Sequence, residues 1–371
     1  MTFASDSNQL VDRRQFLQLT GGIVTGIVLA GLSTAAPLLA SSGTITAITL
    51  TGSVGQGGKN GREDVTKIQA LLDGVDPKKG GPNSKLIVDG LNGSKTVIAI
   101  KDFQQHQKLT SSGRIDPADA TFNRLLSESS YIAATNIKSS VGENLSGGNQ
   151  KQDVRKVQIL LNAVPAGQGG PSTKLAVDGL IGAKTIEAIK KFQKHQALSP
   201  IDGRVAGPST TLERLNELAQ LTLTAHMALR ILDTSGITLA VAHISNVNDD
   251  ATVLQNIVDT ADGRPVRLSK YDNAPGGTVT LLAPILNLIL VIGKTYTYSI
   301  TEIAGGSHST GSRHYVGVAI DIGQLSGSIV SATNPDVKKV MQLCRDLGCT
   351  EVLGPGDPGH ASHVHAALPR P

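Results

Sequence analysis

Ser312-Arg313-His314-Tyr315-Val316-Gly317-Val318-Ala319-Ile320-Asp321 and His360-Ala361-Ser362-His363-Val364-His365 complete each other, and together they decide how the C-terminal third of this chain is read. The first supplies a His and an Asp seven positions apart, the second a dense His group. Six of the nine histidines fall in this third: His243, His308, His314, His360, His363 and His365. Clustered imidazoles with one carboxylate are the ligand chemistry of zinc. On a strand His363 and His365 share a face. His314 and Asp321, seven apart, lie on opposite faces of an ideal strand, so the loop before Val316 has to turn His314 inward, and Gly317 is the residue that can supply the bend. Three protein ligands leave a fourth position for water, and zinc lowers the pKa of that water to about 7 while polarising a carbonyl. Amide hydrolysis needs both.

Around these clusters the chain reads as short β-rich runs at 237–241, 278–282, 297–303 and 316–322, broken by Gly, Pro, Asn and Asp. Residues 284–292 are an apolar helix candidate. A later helix is expected over 334–347, with Thr333 or Asn334 as cap, Pro335 in its first turn and Gly348 beyond its end. Residues 351–353 read as a strand. Strands and helices without regular alternation indicate an α+β domain over 234–371.

Upstream, residues 53–126 and 140–215 repeat each other at an offset of 89. Asp64-Val65, Gln69 through Leu72, Gly80-Gly81-Pro82, Val88 through Leu91, Thr96, Phe103-Gln104 and His106-Gln107 all recur in the second copy. Each copy reads as three helices. Val65, Ile68 and Leu72 share one helical face, as do Val154, Val157 and Leu161. Asp64 and Asp153 are placed to cap those helices. The Asp-Gly pairs mark a tight loop that Asp89 and Asp178 hold, Phe103 and Phe192 are core, and His106 and His195 are solvated helix-end residues. The pattern resembles the peptidoglycan-binding domain of bacterial wall hydrolases, which implies peptidoglycan as a partner. Residues 216–233 read as a helix and connector, a linker to the last domain. The fold class is therefore multidomain: two small all-α three-helix modules followed by an α+β domain.

Of the 371 residues 39% are apolar and 3% aromatic, with no Trp, so the cores must be built from Leu, Ile, Val and Ala. The net charge of +4 is not concentrated in a basic stripe or helix, which argues against nucleic acid. Residues 1–40 read as a twin-arginine signal peptide: Arg13-Arg14, an apolar stretch over 21–40, and a small-residue end after Ala40. That implies secretion to the periplasm or cell wall, with membrane contact only during export. Cys344 and Cys349 are either bridged across a turn or left as buried thiols.

Ser312, His314, Gly317, Ala319 and Asp321, with His363-Val364-His365, resemble the motifs of the D-Ala-D-Ala carboxypeptidase and murein endopeptidase group of zinc peptidases. The resemblance covers about 230–371. It implies Zn2+ held by His314, Asp321 and His365. Relatives often carry Glu or Asp as general base three residues before the last ligand, where this chain has Ser362. His360 or His363 then takes that role, since an imidazole is a suitable base near neutral pH, and Asp357 is close enough in sequence to substitute. His308, Ser312 and Arg313 are candidate substrate contacts, and Glu302 a candidate to orient a ligand. The implied function is an exported peptidase of wall peptides. The alternative is a catalytically inactive wall-binding protein that retains its zinc site. A glycan-cleaving hydrolase would need a carboxylate pair flanking a sugar, and no spacing here points to one.

Overall fold

The structure, a computed structural model, describes residues 47–371, and the expected signal peptide at 1–40 lies outside the described residues. The first repeat folds as β1 (Val54–Gly55), α1 (Arg62–Asp73), α2 (Ser94–His106), β2 (Arg114–Ile115) and α3 (Ala120–Glu128). The second folds as β3 (Val141–Gly142), α4 (Lys151–Ala163), α5 (Ala183–His195), β4 (Arg204–Val205) and α6 (Thr210–Leu218). Three helices per copy are as the periodicity predicts. Each copy also pairs two-residue strands, β1 with β2 and β3 with β4, too short to leave a period in the sequence.

The repeated polar residues are internal clamps. Gln69 accepts from the Gly90 amide and donates to Asp89, and Gln158 does the same to Gly179 and Asp178, each at 2.9–3.0 Å. Gly90 and Gly179 have φ of +75° and +76°, the left-handed region that favours glycine. Phe103 and Phe192 are fully buried. Asp64 and Asp153 do not cap their helices, whose N-caps are Gly61 and Gln150. They sit inside the first turn and reach back to the preceding segment. Asp64 accepts from Thr51 N, Thr51 Oγ1 and Gly52 N, and Asp153 from Lys138 N, Ser139 N and Ser139 Oγ.

Residues 216–233 are no free tether. They contain α7 (Leu223–Asp233), which packs on α8 (Val253–Ala261) and α9 (Ala283–Gly293) and buries Met227 and Ala228 completely. A linker composed of this much buried Leu, Met, Ile and Ala is a core helix. The remaining elements are β5 (Ile237–Leu239), β6 (Val266–Arg267), β7 (Thr278–Val279), β8 (Tyr298–Glu302), β9 (Ala319–Leu325), β10 (Ser328–Ile329), α10 (Val337–Asp346), β11 (Glu351–Leu353) and β12 (Val364–Ala367). The main sheet runs β11-β12-β9-β8-β5, with β10 folded back on the end of β9; only β5 and β8 are parallel. The expected strand at 278–282 shrinks to β7, which pairs with β6 in a separate ribbon. The last helix starts three residues later than 334. Asn334 is spent on the Leu325 carbonyl and the Asp336 amide. Cys344 and Cys349 are free and buried.

Residues 47–371 belong to one compact unit, and the repeats are joined to the sheet domain through a single repeat position used twice. Asp73 and Asn162 are equivalent at the offset of 89. Within its own module each accepts a backbone amide, from Leu86 (2.9 Å) and Leu175 (2.7 Å). The second atom of each docks outward: Asn287 on α9 donates to Asp73 at 3.0 Å, and Asn162 donates to Asp262 after α8 at 2.9 Å. Tyr131 donates to Asn287 at 3.0 Å and completes the first contact. These groups are buried, so an unmatched partner is costly. Asp73→Asn faces two amides toward each other and should lower unfolding free energy by about 1–3 kcal/mol. Adding Asn287→Asp restores an amide–carboxylate pair of the kind found at Asn162, and denaturant titration should show most of the loss recovered.

Candidate metal centre

Register brings the two sequence clusters together. On β12 His365 lies directly opposite Asp321 of β9, and on the other side of β9 Glu302 of β8 is paired with the same Asp321. Directly opposed residues of antiparallel strands project to one face. His314 lies just before β9, in a 3-10 turn over Arg313–Val316 that Ser312 caps by accepting the His314 amide. Gly317 ends that turn at φ +70° and reverses the chain into the strand. This is the inward turn that the seven-residue spacing requires.

The result is a tight triangle. His314 Nε2 is 3.2 Å from Asp321 Oδ1 and 3.2 Å from His365 Nδ1, and His365 Nδ1 is 2.9 Å from Asp321 Oδ1. All three side chains are buried. The outer nitrogen of each imidazole is committed elsewhere. His314 Nδ1 donates to the Ile303 carbonyl at 2.6 Å, and His365 Nε2 donates to Glu351 Oε1 at 3.0 Å. A proton held on each outer nitrogen leaves a lone pair on each inner one. Three acceptors then face one another in a buried space, an arrangement only a shared cation or proton satisfies. A tetrahedral zinc with bonds of about 2.0–2.2 Å separates its ligands by about 3.3–3.5 Å, so the observed spacing fits such an ion with little adjustment. The electrostatics agree. Burial alone lowers the His314 imidazole and raises the Asp321 carboxyl, but their mutual attraction prevails, holding His314 above and Asp321 well below the ordinary value.

His308 also comes within reach: one ligand atom each of His308, His314 and Asp321 lies within 4.8 Å of the others. His365 sits closer to both shared ligands and is the better third. The His308 ring stacks on that of His314 at 3.9 Å and 6°, and its Nε2 donates to Gly305 O at 3.0 Å. Burial, then the neighbouring His314, pushes its pKa down to about 4.

His360 and His363 gather at the open side. Their rings are 4.8 Å apart, and that of His360 is 5.9 Å from that of His365. His360 Nδ1 donates to Pro358 O at 2.7 Å, which leaves Nε2 unprotonated. Burial lowers the His363 pKa. Asp357 is spent within its own turn, accepting from Gly354 N at 2.8 Å. Arg313 is turned to the sheet edge, where it donates to Thr350 Oγ1 and the carbonyls of Ala367 and Leu368 and lies 3.5 Å from Glu351.

Glu302 does not orient a ligand. It binds Nδ1 of His243 at 2.9 Å, while Asp249 takes Nε2 at 2.7 Å. Burial lowers the His243 pKa, but the two carboxylates outweigh it and hold the imidazolium. That cation pins the wall behind His308. Two residues with clear geometric roles, His243 and Glu351, had no signal in the sequence beyond a histidine and an acid in plausible strands. Glu351 is the diagonal neighbour of His365 across β11 and β12, visible only once the register is known. Glu351→Ala should weaken zinc binding by about 10–100-fold, measured by competition with a chromophoric chelator, with the far-UV circular dichroism spectrum unchanged.

The model of the putative peptidoglycan binding domain family matches residues 61–124 and 150–211. The chain is also 29% identical over 227 residues to the zinc D-Ala-D-Ala carboxypeptidase of Streptomyces albus G, covering 60% of this chain and 74% of that protein. The chain thus carries two copies of the peptidoglycan-binding domain ahead of a mixed α/β region and is a homologue of a zinc D-Ala-D-Ala carboxypeptidase.

Proposed function

We propose that this chain is an exported zinc-dependent peptidase that hydrolyses stem or cross-link peptide bonds of peptidoglycan, with zinc held by His314, Asp321 and His365. The observation that carries the reading is the triangle of inward-facing acceptors, each imidazole locked from outside. The homology to a zinc carboxypeptidase and the two wall-binding domains support the choice of metal and of substrate. Zinc, when bound, supplies a Lewis acid that polarises an amide carbonyl and makes water acidic enough to ionise near neutral pH.

The chain's own groups do the rest. His360 presents an unprotonated Nε2 at the open side and takes the proton of the attacking water, then returns it to the leaving amine. His363 lies beside it and donates a hydrogen bond to the developing oxyanion. His308, stacked on His314, closes one side of the site against water. Ser312 holds the turn that carries His314, and Arg313 holds the β11–β12 edge that carries His365. The twin-arginine signature at 13–14 supports export to the periplasm or cell wall.

A wall-binding protein without activity is the second reading, favoured by Ser362 standing where relatives often have an acid. Digestion of purified sacculi separates the two. Peptidase action releases new amine termini that disappear with a chelator and return with zinc; binding without new amines supports the inactive reading. His314→Ala, Asp321→Ala and His365→Ala should each abolish zinc retention and cleavage together. His360→Ala should keep stoichiometric zinc while lowering kcat by about 100-fold or more. An unchanged rate in that variant assigns the base to His363.

A further inference from the structure

The two repeats present the same helix face to different surroundings, and the difference points to a second binding site. In the second repeat the N-terminal half of α4 is covered by the end of α7. Gln152 donates to the Leu232 carbonyl at 2.8 Å, and Lys156, 2% exposed, is paired with the Asp233 carboxylate. The equivalent positions of the first repeat are Glu63 and Lys67. The two lysines are otherwise placed alike: Lys67 donates to Thr49 O at 3.0 Å, and Lys156 to Asn136 O at 2.8 Å, each just ahead of the segment that Asp64 or Asp153 pins. No helix end covers Lys67. Its side chain is 19% exposed, and the face around it opens into a cleft of about 710 Å³ between α1, the starts of α7 and α9, and residues 368–371.

The walls of that cleft are mainly apolar, with Ile48, Ile87, Leu223 and Ile285 among them, and none of the three proposed metal ligands lines it. Its charged features suit an anion. Arg62 and Lys67 stand on one side. On the other α9 begins at Leu282 with no side-chain cap, so its first amides face the cleft unsatisfied by the protein's side chains.

We infer that this cleft is an accessory site for a peptide with small apolar side chains and a free carboxylate, seated as Leu232 and Asp233 are seated on the second repeat. Given the proposed function, the peptide is an alanine-ended stem of a neighbouring wall strand, gripped while another is presented to the metal centre. A polyol phosphate shares the charge but leaves the apolar walls without partners.

The test uses the full chain carrying His365→Ala, so that binding is read without turnover and independently of whether the enzyme reading holds. The probe is the synthetic tetrapeptide L-Ala-γ-D-Glu-L-Lys-D-Ala, titrated by calorimetry, against the same peptide ending in an amide. Leu282→Asp caps α9 from within and places a carboxylate in the cleft. It should melt no lower than its parent and bind the acid peptide about tenfold more weakly or worse, because like charges now meet. Leu282→Asn caps without charge and should keep most of the affinity. The amide peptide should bind weakly to all three proteins. Equal affinity of the acid peptide for the Leu282→Asp protein and its parent overturns the proposal, as does equal binding of acid and amide. Selective binding of glycerol phosphate oligomers, or dimerisation lost in Leu282→Asp, assigns the cleft to another occupant and also overturns it.

Discussion

Three lone pairs that face one another in a buried space are the constraint on which the sheet domain depends. His314 Nε2, Asp321 Oδ1 and His365 Nδ1 lie within 3.2 Å of each other, and none can donate to the next while both outer imidazole nitrogens are held as donors. Left alone, such a cluster repels itself or captures a proton. A divalent cation satisfies all three at once. The surroundings are built to keep the imidazoles from rotating out of this state: the Ile303 carbonyl fixes one, and Glu351, itself near Arg313, fixes the other.

Sheet register delivers that constraint. Asp321 is the hub of β9, opposed by His365 on one side and by Glu302 on the other. A one-residue slip of β12 would turn His365 to the far face and dissolve the site. Glu302 sits at a ladder irregularity and is spent on His243, so only one carboxylate of the row is left for the metal. The helices behind the sheet belong to the same unit as the wall-binding repeats, through α9 to Asp73 and through the end of α8 to Asn162. The repeats are therefore held in a fixed relation to the metal centre, which suits an enzyme that acts on an immobile polymer.

Much of this was legible in the residues. The offset repeat, the helical faces of Val65, Ile68 and Leu72, and the buried Phe103 and Phe192 are local signals that packing did not override. The inward turn of His314 followed from a spacing that no straight strand could serve. What escaped the sequence depends on distant partners. Asp64 looks like a helix cap because Asp in a first turn usually acts locally, yet it pins a segment 12–13 residues upstream. Residues 216–233 look like a connector because their apolar face has no visible partner until α8 and α9 are in place. His243 and Glu351 gain meaning only from the register of β8, β9, β11 and β12. Arg313 has the charge of a substrate contact, but its donors are taken by the sheet edge.

The central claim is the identity of the ligand set, and X-ray absorption at the zinc edge on the purified protein tests it most directly. The account predicts one zinc per chain with two imidazoles, one carboxylate oxygen and one further light-atom ligand at about 2.0–2.1 Å. Three or more imidazoles without a carboxylate would give the third position to His308 or His363, and sulfur scattering or the absence of bound metal would contradict the centre altogether.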